Sequence, residues 1–293
     1  MEIGFIGLGI MGKPMVLNLL HATYEVKVYD IKSETLEEVV SNGATLASSP
    51  MDVAYESDII FLALPNGSIV NEVLFGKDGI TRTIKKGAIV IDMSSIAPKD
   101  SISFAKQLSK KGIYYLDAPI SGGEPKAKDG SLSIMVGGDE GALNQVMTLL
   151  EVMGKEITYV GKSGSGSTTK LANQIIVNVT IAAIAEATVL CAKAGVDIEK
   201  MYQAIRSGLA GSTLLEAKMP MILERNFTAG GRIDINLKDL NNVFDTGNEL
   251  NVSLPLTTNV IEMFTQLSNE NKSSHDHIGL IQYYEKLANY IVE

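Results

Sequence analysis

The sequence predicts an α/β N-terminal half built on a parallel sheet, then an all-α C-terminal half, the two joined by one long helix. Three observations predict this. Through roughly the first 160 residues, short apolar runs alternate with helical patterns, the order expected of a sheet covered by helices. Residues 164–195 then form one stretch, GSGSTTKLANQIIVNVTIAAIAEATVLCAKAG. It has no proline, and no glycine between Gly166 and Gly195. Beyond it only helical patterns and loops remain. The expected domains are residues 1–162 and 163–293, the second beginning with the linking helix.

Composition narrows the function. At 45% hydrophobic and 20% charged residues, the chain reads as an ordinary globular protein rather than a disordered one. A net charge of −9 argues against a nucleic-acid partner, which needs a basic face. It leaves room for a small carboxylate substrate, which needs only one local positive pocket. The single cysteine, Cys191, permits no disulfide framework and is expected to pack in the core. MEIGFIGLG shows no signal peptide, so a cytoplasmic location is expected. The apolar stretch 175–192 is long enough to raise the question of a membrane. Asn178, Thr180, Glu186 and Thr188 interrupt it, so a buried helix or a subunit interface is expected instead.

The first strand, residues 2–6, runs into Gly7-Leu8-Gly9-Ile10-Met11-Gly12, and a helical pattern follows. This is G-x-G-x-x-G in its required setting of strand, turn and helix. Gly7 permits the tight turn. Gly9 lets the backbone approach a pyrophosphate, and Gly12 lets helix and strand pack closely. The helix N-terminus offers its free N–H groups to the anion. Residues 25–30 read as the next strand, and Asp30 closes it 18 residues after Gly12. An acid there accepts hydrogen bonds from ribose hydroxyls and repels a 2′-phosphate. The expectation is a Rossmann-type domain that prefers NAD, as NADH, over NADP. Lys32 nearby would soften that preference.

Continuous apolar runs at 58–63 and 88–93 read as strands buried on both faces. Ligands in open α/β sheets sit at the carboxyl ends of such strands. Leu64, Pro65 and Ser95 are therefore candidate neighbours of the cofactor, or ordinary loop residues. Residues 112–117 form another strand and lead into Ser121-Gly122-Gly123. A Ser-Gly-Gly turn exposes backbone N–H groups that suit a carboxylate, or is simply a flexible loop. Residues 131–138 and 157–160 read as late strands around a helix at 139–153.

Hydride transfer to a carbonyl needs a proton donor for the developing alkoxide. His21 ends the first helix, while His275 and His277 fall in a polar loop with Asp276, so all three are read as solvated. No cluster suggests a metal. Lys170, on the first turns of the long helix, is the best candidate acid. The positive end of the helix dipole and partial desolvation would ease loss of its proton. Asn173 shares its face three residues on and can orient substrate or lysine. A dinucleotide-binding sensor without catalysis would have no need of an ammonium at that point.

Taken together, GFIGLGIMG, DAPISGG and GSGSTTKLAN resemble the β-hydroxyacid dehydrogenase family over essentially the whole chain. The resemblance implies Lys170 as the catalytic lysine and Asn173 as its substrate-binding partner. It implies Ser121, Gly122 and Gly123 as the substrate-carboxylate loop. Gly7, Gly9, Ile10, Met11, Gly12, Asp30, Leu64, Pro65 and Ser95 fall on cofactor positions, Ser95 where many members carry Thr. Lys238 matches a lysine that reaches the cofactor from the C-terminal domain. Members are usually dimers or tetramers, so a homo-oligomer is expected.

In the C-terminal half, residues 197–205, 213–219, 235–250, 256–268 and 282–290 read as helices. Ser212 is a candidate N-cap, and Pro255 falls near a helix start. Arg232 is either a contributor of positive charge to the site or a surface ion-pair member. The stretch 175–192 has more apolar face than a small helical domain readily covers. Both sides are expected to be covered by protein, part of it a second subunit.

Overall fold

The computed structural model describes residues 1–292, apart from the Ser33 side chain. The chain divides into two units, Met1–Lys170 and Leu171–Glu293. The first lays down strands and helices in alternation. β1 (Ile3–Ile6) leads to α1 (Gly12–His21), β2 (Val26–Tyr29) to α2 (Ser33–Ser41), and β3 (Thr45–Leu46) to α3 (Pro50–Ala54). β4 (Ile59–Leu62) leads to α4 (Gly67–Phe75), and β5 (Ile89–Asp92) to α5 (Pro98–Ser109). β6 (Tyr114–Asp117) is followed by β7 (Ile120–Ser121), α6 (Gly123–Lys128), β8 (Leu132–Gly137), α7 (Glu140–Met153) and β9 (Gly154–Gly161). α8 (Ser165–Lys193) then begins.

The strand order is β3-β2-β1-β4-β5-β6-β8-β7, with β9 on β8. From β3 to β6 all neighbours are parallel. β6 and β7 both pair antiparallel with β8 in one register, Asp117 opposite Gly137 and Ile120 opposite Ile134, so the chain keeps its direction through Ala118 and Pro119. The order reverses at β1, which lies between β2 and β4, and that reversal opens a ligand-binding crevice at the carboxyl edge.

The apolar runs form the buried centre of this sheet. Every residue of β1, β4 and β5 is buried. Alternate side chains fill two cores, one containing Phe5, Phe61 and Ile91, the other Ile6, Ile60, Leu62 and Val90. Phe5 and Phe61 are register partners and stack with ring centroids 5.7 Å apart.

The second unit is all helical. After α8 come α9 (Ile198–Ile205), α10 (Thr213–Leu223), α11 (Ile233–Glu249), α12 (Pro255–Asn269), a 3-10 turn at His277–Leu280 and α13 (Ile281–Ala288). The local signals act as the sequence suggests. Asp197 and Ser212 cap α9 and α10 by accepting from Lys200 and Leu215 N–H. Pro255 opens α12. Ile181, Ala185, Met219, Leu240 and Phe264 belong to one core.

α8 is one uninterrupted helix, long and apolar enough by length and composition to cross a membrane. One face, with Ile181, Ala185 and Val189, lies in the helical core. Cys191 packs against that core from a half-buried position. Asn178 and Thr188 are buried there and return hydrogen bonds to the carbonyls of Gln174 and Ile184, which removes the cost of hiding them. The opposite face is not covered within the chain itself. In the single chain Ile176 is 68% and Leu190 71% exposed, and Ala183 and Ala187 lie on the same exposed stripe.

His277 corrects the expectation of a solvated imidazole. It opens a 3-10 turn and is buried, as is Asp276. Asp276 receives Lys218 Nζ on both oxygens at 2.8 and 2.9 Å. It also accepts the N–H groups of Gly230, Gly231 and Ile278. Burial pushes that carboxyl up, but its charged and hydrogen-bonding partners outweigh burial and hold it below the usual range. His277 Nδ1 lies 3.3 Å from Asn178 Oδ1. Burial depresses this imidazole to about 4 against the pull of Asp276, so it is neutral at pH 7.

Candidate active site

At the carboxyl end of β1 the chain turns sharply. Gly7 has φ +98°, and a Cβ there would lie 2.3 Å from the Ala63 carbonyl oxygen. A Cβ on Gly12 would fall 1.9 Å from the Gly7 carbonyl. Both positions are thus restricted to glycine by backbone packing. Gly9 differs, because a Cβ there would meet nothing within 4 Å. Its bareness serves no contact within the chain and leaves a cradle that a side chain would fill. Ile10 beside it is 57% exposed, and Met11 is half-buried. α1 starts at Gly12 with no side-chain cap, so its first N–H groups are those a pyrophosphate would accept.

Asp30 follows β2, next to this turn. Its Oδ2 accepts Leu8 N–H at 2.6 Å, and its Oδ1 accepts Lys32 N–H at 2.8 Å. The carboxylate is thereby held in place, with lone pairs remaining for ribose hydroxyls. Leu64, after β4, donates its N–H to Ser94 Oγ at 2.8 Å, and Ser94 N–H donates to Asp92 Oδ1 at 2.9 Å. These bonds join the ends of β4 and β5. Pro65 is exposed and Ser95 half-buried at the same edge. Asp92 is fully buried, and burial pushes its carboxyl up to about 6 although Ser94 and Tyr115 hydrogen-bond it. The Tyr115 hydroxyl donates to its Oδ2 at 2.7 Å.

The Ser-Gly-Gly turn is not a loose loop. Ser121 pairs with Ser133 across β7 and β8, and α6 starts at Gly123. Gly122 and Gly123 have φ +137° and +69°, consecutive left-handed conformations that side chains disfavour. Four residues before Ser121 stands Asp117, at the end of β6. Its Oδ1 accepts Gly164 N–H and its Oδ2 accepts Ser167 N–H, each at 2.8 Å. Burial pushes this carboxyl up, against the lowering effect of those N–H groups. α8 therefore starts on a strand residue, and half-buried Lys170 stands in its second turn.

Asn173 and Lys238 belong to the second unit. Asn173 Nδ2 donates to Gln174 Oε1 at 3.0 Å. Gln174 Nε2 in turn donates to Asp239 Oδ2 at 2.7 Å. The other oxygen of Asp239 pairs with Lys238 Nζ at 2.9 Å. One buried carboxylate thus joins the amide beside Asn173 to Lys238. Arg232 is an ion-pair member with Asp234, both partly exposed.

The family described as the NAD-binding domain of 6-phosphogluconate dehydrogenase matches residues 2–161. The family described as NAD-binding of NADP-dependent 3-hydroxyisobutyrate dehydrogenase matches residues 164–284. The 2-hydroxy-3-oxopropionate reductase of Escherichia coli K12 is 43% identical over 290 residues, covering 99% of each chain. The chain belongs to the β-hydroxyacid dehydrogenase family.

Other relatives of this dehydrogenase agree. The 2-(hydroxymethyl)glutarate dehydrogenase of Eubacterium barkeri is 38% identical, over 98% of this chain and 96% of that one. The crystal structure of a 3-hydroxyisobutyrate dehydrogenase from Salmonella typhimurium superposes with a TM-score of 0.87 at 31% identity, covering 96% of this chain and 99% of that one. As a member of this family the chain is an NAD(P)-dependent oxidoreductase, and the open cradle at Gly9 fits a dinucleotide.

The N-terminal unit gathers Gly7, Asp30, Leu64, Ser95 and Ser121 at the carboxyl ends of its strands, with Lys170 as its last residue. Asn173 and Lys238 are joined separately, through Gln174 and Asp239. The sequence reading missed Asp117, Asp92, Tyr115, Gln174 and Asp239 as supports. Gln174 did carry a signal, being a polar residue where the apolar part of α8 begins.

Proposed function

We propose that this dehydrogenase reduces tartronate semialdehyde (2-hydroxy-3-oxopropanoate) to D-glycerate with NADH. The reading is carried by Lys170, an ammonium in the second turn of a helix that starts on the strand leading into the Ser-Gly-Gly turn. The 43% identity to a 2-hydroxy-3-oxopropionate reductase supports this substrate over other small 3-oxo acids. Asp30 supports NADH, because its charge repels a 2′-phosphate.

Bound nicotinamide supplies the hydride, which forms the new C–H bond at the aldehyde carbon. Lys170 gives a proton from Nζ to the aldehyde oxygen, so C=O becomes C–OH. The N–H groups at Gly122 and Gly123, with the Ser121 hydroxyl, hold the substrate carboxylate. Asn173, oriented by Gln174, takes the substrate hydroxyl. Lys238 reaches the cofactor.

The apolar stripe of Ile176, Ala183, Ala187 and Leu190 supports a homo-oligomer, dimer or tetramer, with α8 in the interface. Steady-state rates with tartronate semialdehyde, methylmalonate semialdehyde and related acids, each with NADH and NADPH, test the assignment. A higher kcat/KM for methylmalonate semialdehyde would make the chain a 3-hydroxyisobutyrate dehydrogenase instead. Lys170→Ala should lower turnover by about 10²–10⁴-fold and still bind NADH. Light scattering at micromolar concentration tests the oligomer, and a monomer would sink that part alone.

A further inference from the structure

We propose that Asp117 is the positioning residue for Lys170, fixing the proton donor relative to the Ser-Gly-Gly turn through a single carboxylate. The inference rests on reading Lys170 as the proton donor.

Helices are usually capped by their own chain. The side chain at the N-cap accepts an N–H from the first turn, and a residue three further on returns a bond to the N-cap N–H. α8 has no such device at its start. The residue before Ser165 is Gly164, which has no side chain and takes φ +89°. Asp117 supplies both bonds instead, from 47 and 50 residues away. Its Oδ1 takes the Gly164 N–H, and its Oδ2 takes the Ser167 N–H, in the third helical residue. Its negative charge also lies at the positive end of the helix.

The seat around this carboxylate has no slack. A Cβ on Gly166 would lie 2.2 Å from the Asp117 carbonyl oxygen and 2.4 Å from that of Met135. A Cβ on Gly137 would lie 2.7 Å from both Asp117 Oδ1 and Gly166 N. Ser167 Oγ makes a buried 2.8 Å bond with Ser101 Oγ, which ties the same turn to α5. The first turn of α8 is thus held by backbone on one side and hydrogen bonds on the other.

What this seat fixes is chemical. Lys170 follows Ser167 by three residues and shares its helix face. Ser121 follows Asp117 by four residues, with Pro119 stiffening the connection. Asp117 therefore sits at the root of both the carboxylate-binding turn and the lysine-bearing helix. A shift of that helix moves Nζ relative to a substrate whose carboxylate stays on the turn.

Asp117→Asn keeps the shape and turns one acceptor oxygen into an amide that faces an N–H. We expect NADH binding to be unchanged and kcat to fall about ten- to a hundredfold, the scale of a small misplacement. The limb of the kcat–pH profile set by Lys170 should move by about half a pH unit or more. A merely structural cap would reduce the yield of folded enzyme and leave that limb in place. Ser167→Pro removes the N–H from the other side and spares the carboxylate, with Ser167→Ala as the control for the lost hydroxyl. If Asp117→Asn does not fold, Ser167→Pro decides on the same criteria.

Wild-type kcat and an unmoved limb in Asp117→Asn, beside an inactive Lys170→Ala, would overturn the positioning role alone. An active Lys170→Ala would remove Lys170 from the mechanism, and the positioning role with it.

Discussion

Leu8 N–H donates to Asp30 Oδ2 at 2.6 Å, so the acid that ends β2 is fastened to the glycine turn after β1. The two halves of the dinucleotide fingerprint are joined by that bond. Asp30→Ala removes both the tether and the ribose acceptor. Charge-assisted hydrogen bonds contribute about 1.5–3 kcal/mol each, so NADH affinity should fall at least about tenfold. NADPH affinity should fall less, because a repulsion disappears as well. Fluorescence titration with both cofactors checks this, and an unchanged NADH:NADPH ratio would refute the discriminating role of Asp30.

Gly9 and Gly12 should separate binding from folding. Gly12→Ala forces a methyl against the Gly7 carbonyl, and overpacking of this kind costs about 1–3 kcal/mol. Its apo melting temperature should drop. Gly9→Ala meets nothing in the chain and should melt like wild type while losing cofactor affinity. A Gly9→Ala protein that binds NADH normally would mean that the cradle is not where the pyrophosphate lies.

Lys218→Met should be among the more damaging single changes in the helical unit. It leaves the Asp276 carboxylate, which is 0% exposed, with backbone N–H partners and the neutral His277 ring 3.8 Å away. Breaking a buried pair from one side costs about 3–5 kcal/mol, and the surviving N–H bonds argue for the lower end. Urea unfolding of variant and wild type measures it. A loss typical of a surface pair, about 1 kcal/mol or less, would contradict the burial.

Acid stability should show two opposed contributions. His277 falls from 6.5 unfolded to about 4 folded. Between those values the unfolded chain binds the extra proton, so stability drops as pH falls from 6.5 to about 4. Asp92 rises from 3.8 to about 6. Over that range the folded state binds the extra proton, so its contribution is full below 3.8 and is lost as pH rises through about 6. The two partly cancel between pH 4 and 6. His277→Asn should therefore flatten or reverse the acid loss, and Asp92→Asn should steepen it. Denaturation midpoints at pH 4.5, 5.5 and 6.5 would show parallel slopes in all three proteins if neither group titrates this way.

Much of the sheet was legible because burial on both faces leaves a mark in composition. The runs Ile59–Leu62 and Ile89–Ile91 are apolar at every position and could hardly be anything else. β3 and β7 have two residues each, too few for any periodicity to register. The antiparallel placement of β8 leaves no mark in its own composition and shows only in its pairing with β6 and β7.

The glycine turn and Lys170 were legible as motifs, but their supports were not. Asp117 reads locally as a strand end, because the N–H groups it accepts lie 47 and 50 residues downstream. Gln174 owes its meaning to Asp239, 65 residues away. His277 misled for the same reason, since a polar neighbourhood suggests solvent until the ring is found buried beside Asn178, 99 residues away.

Gly137 and Gly166, where the lysine-bearing helix meets the sheet, set the terms for altering this scaffold. Neither position admits a side chain, so libraries aimed at new substrates gain nothing by varying them and lose folded protein. Diversity belongs at the half-buried side chains of the same edge, such as Ser95 and Ser121. A chain redesigned there can change what it reduces while the lysine keeps its place.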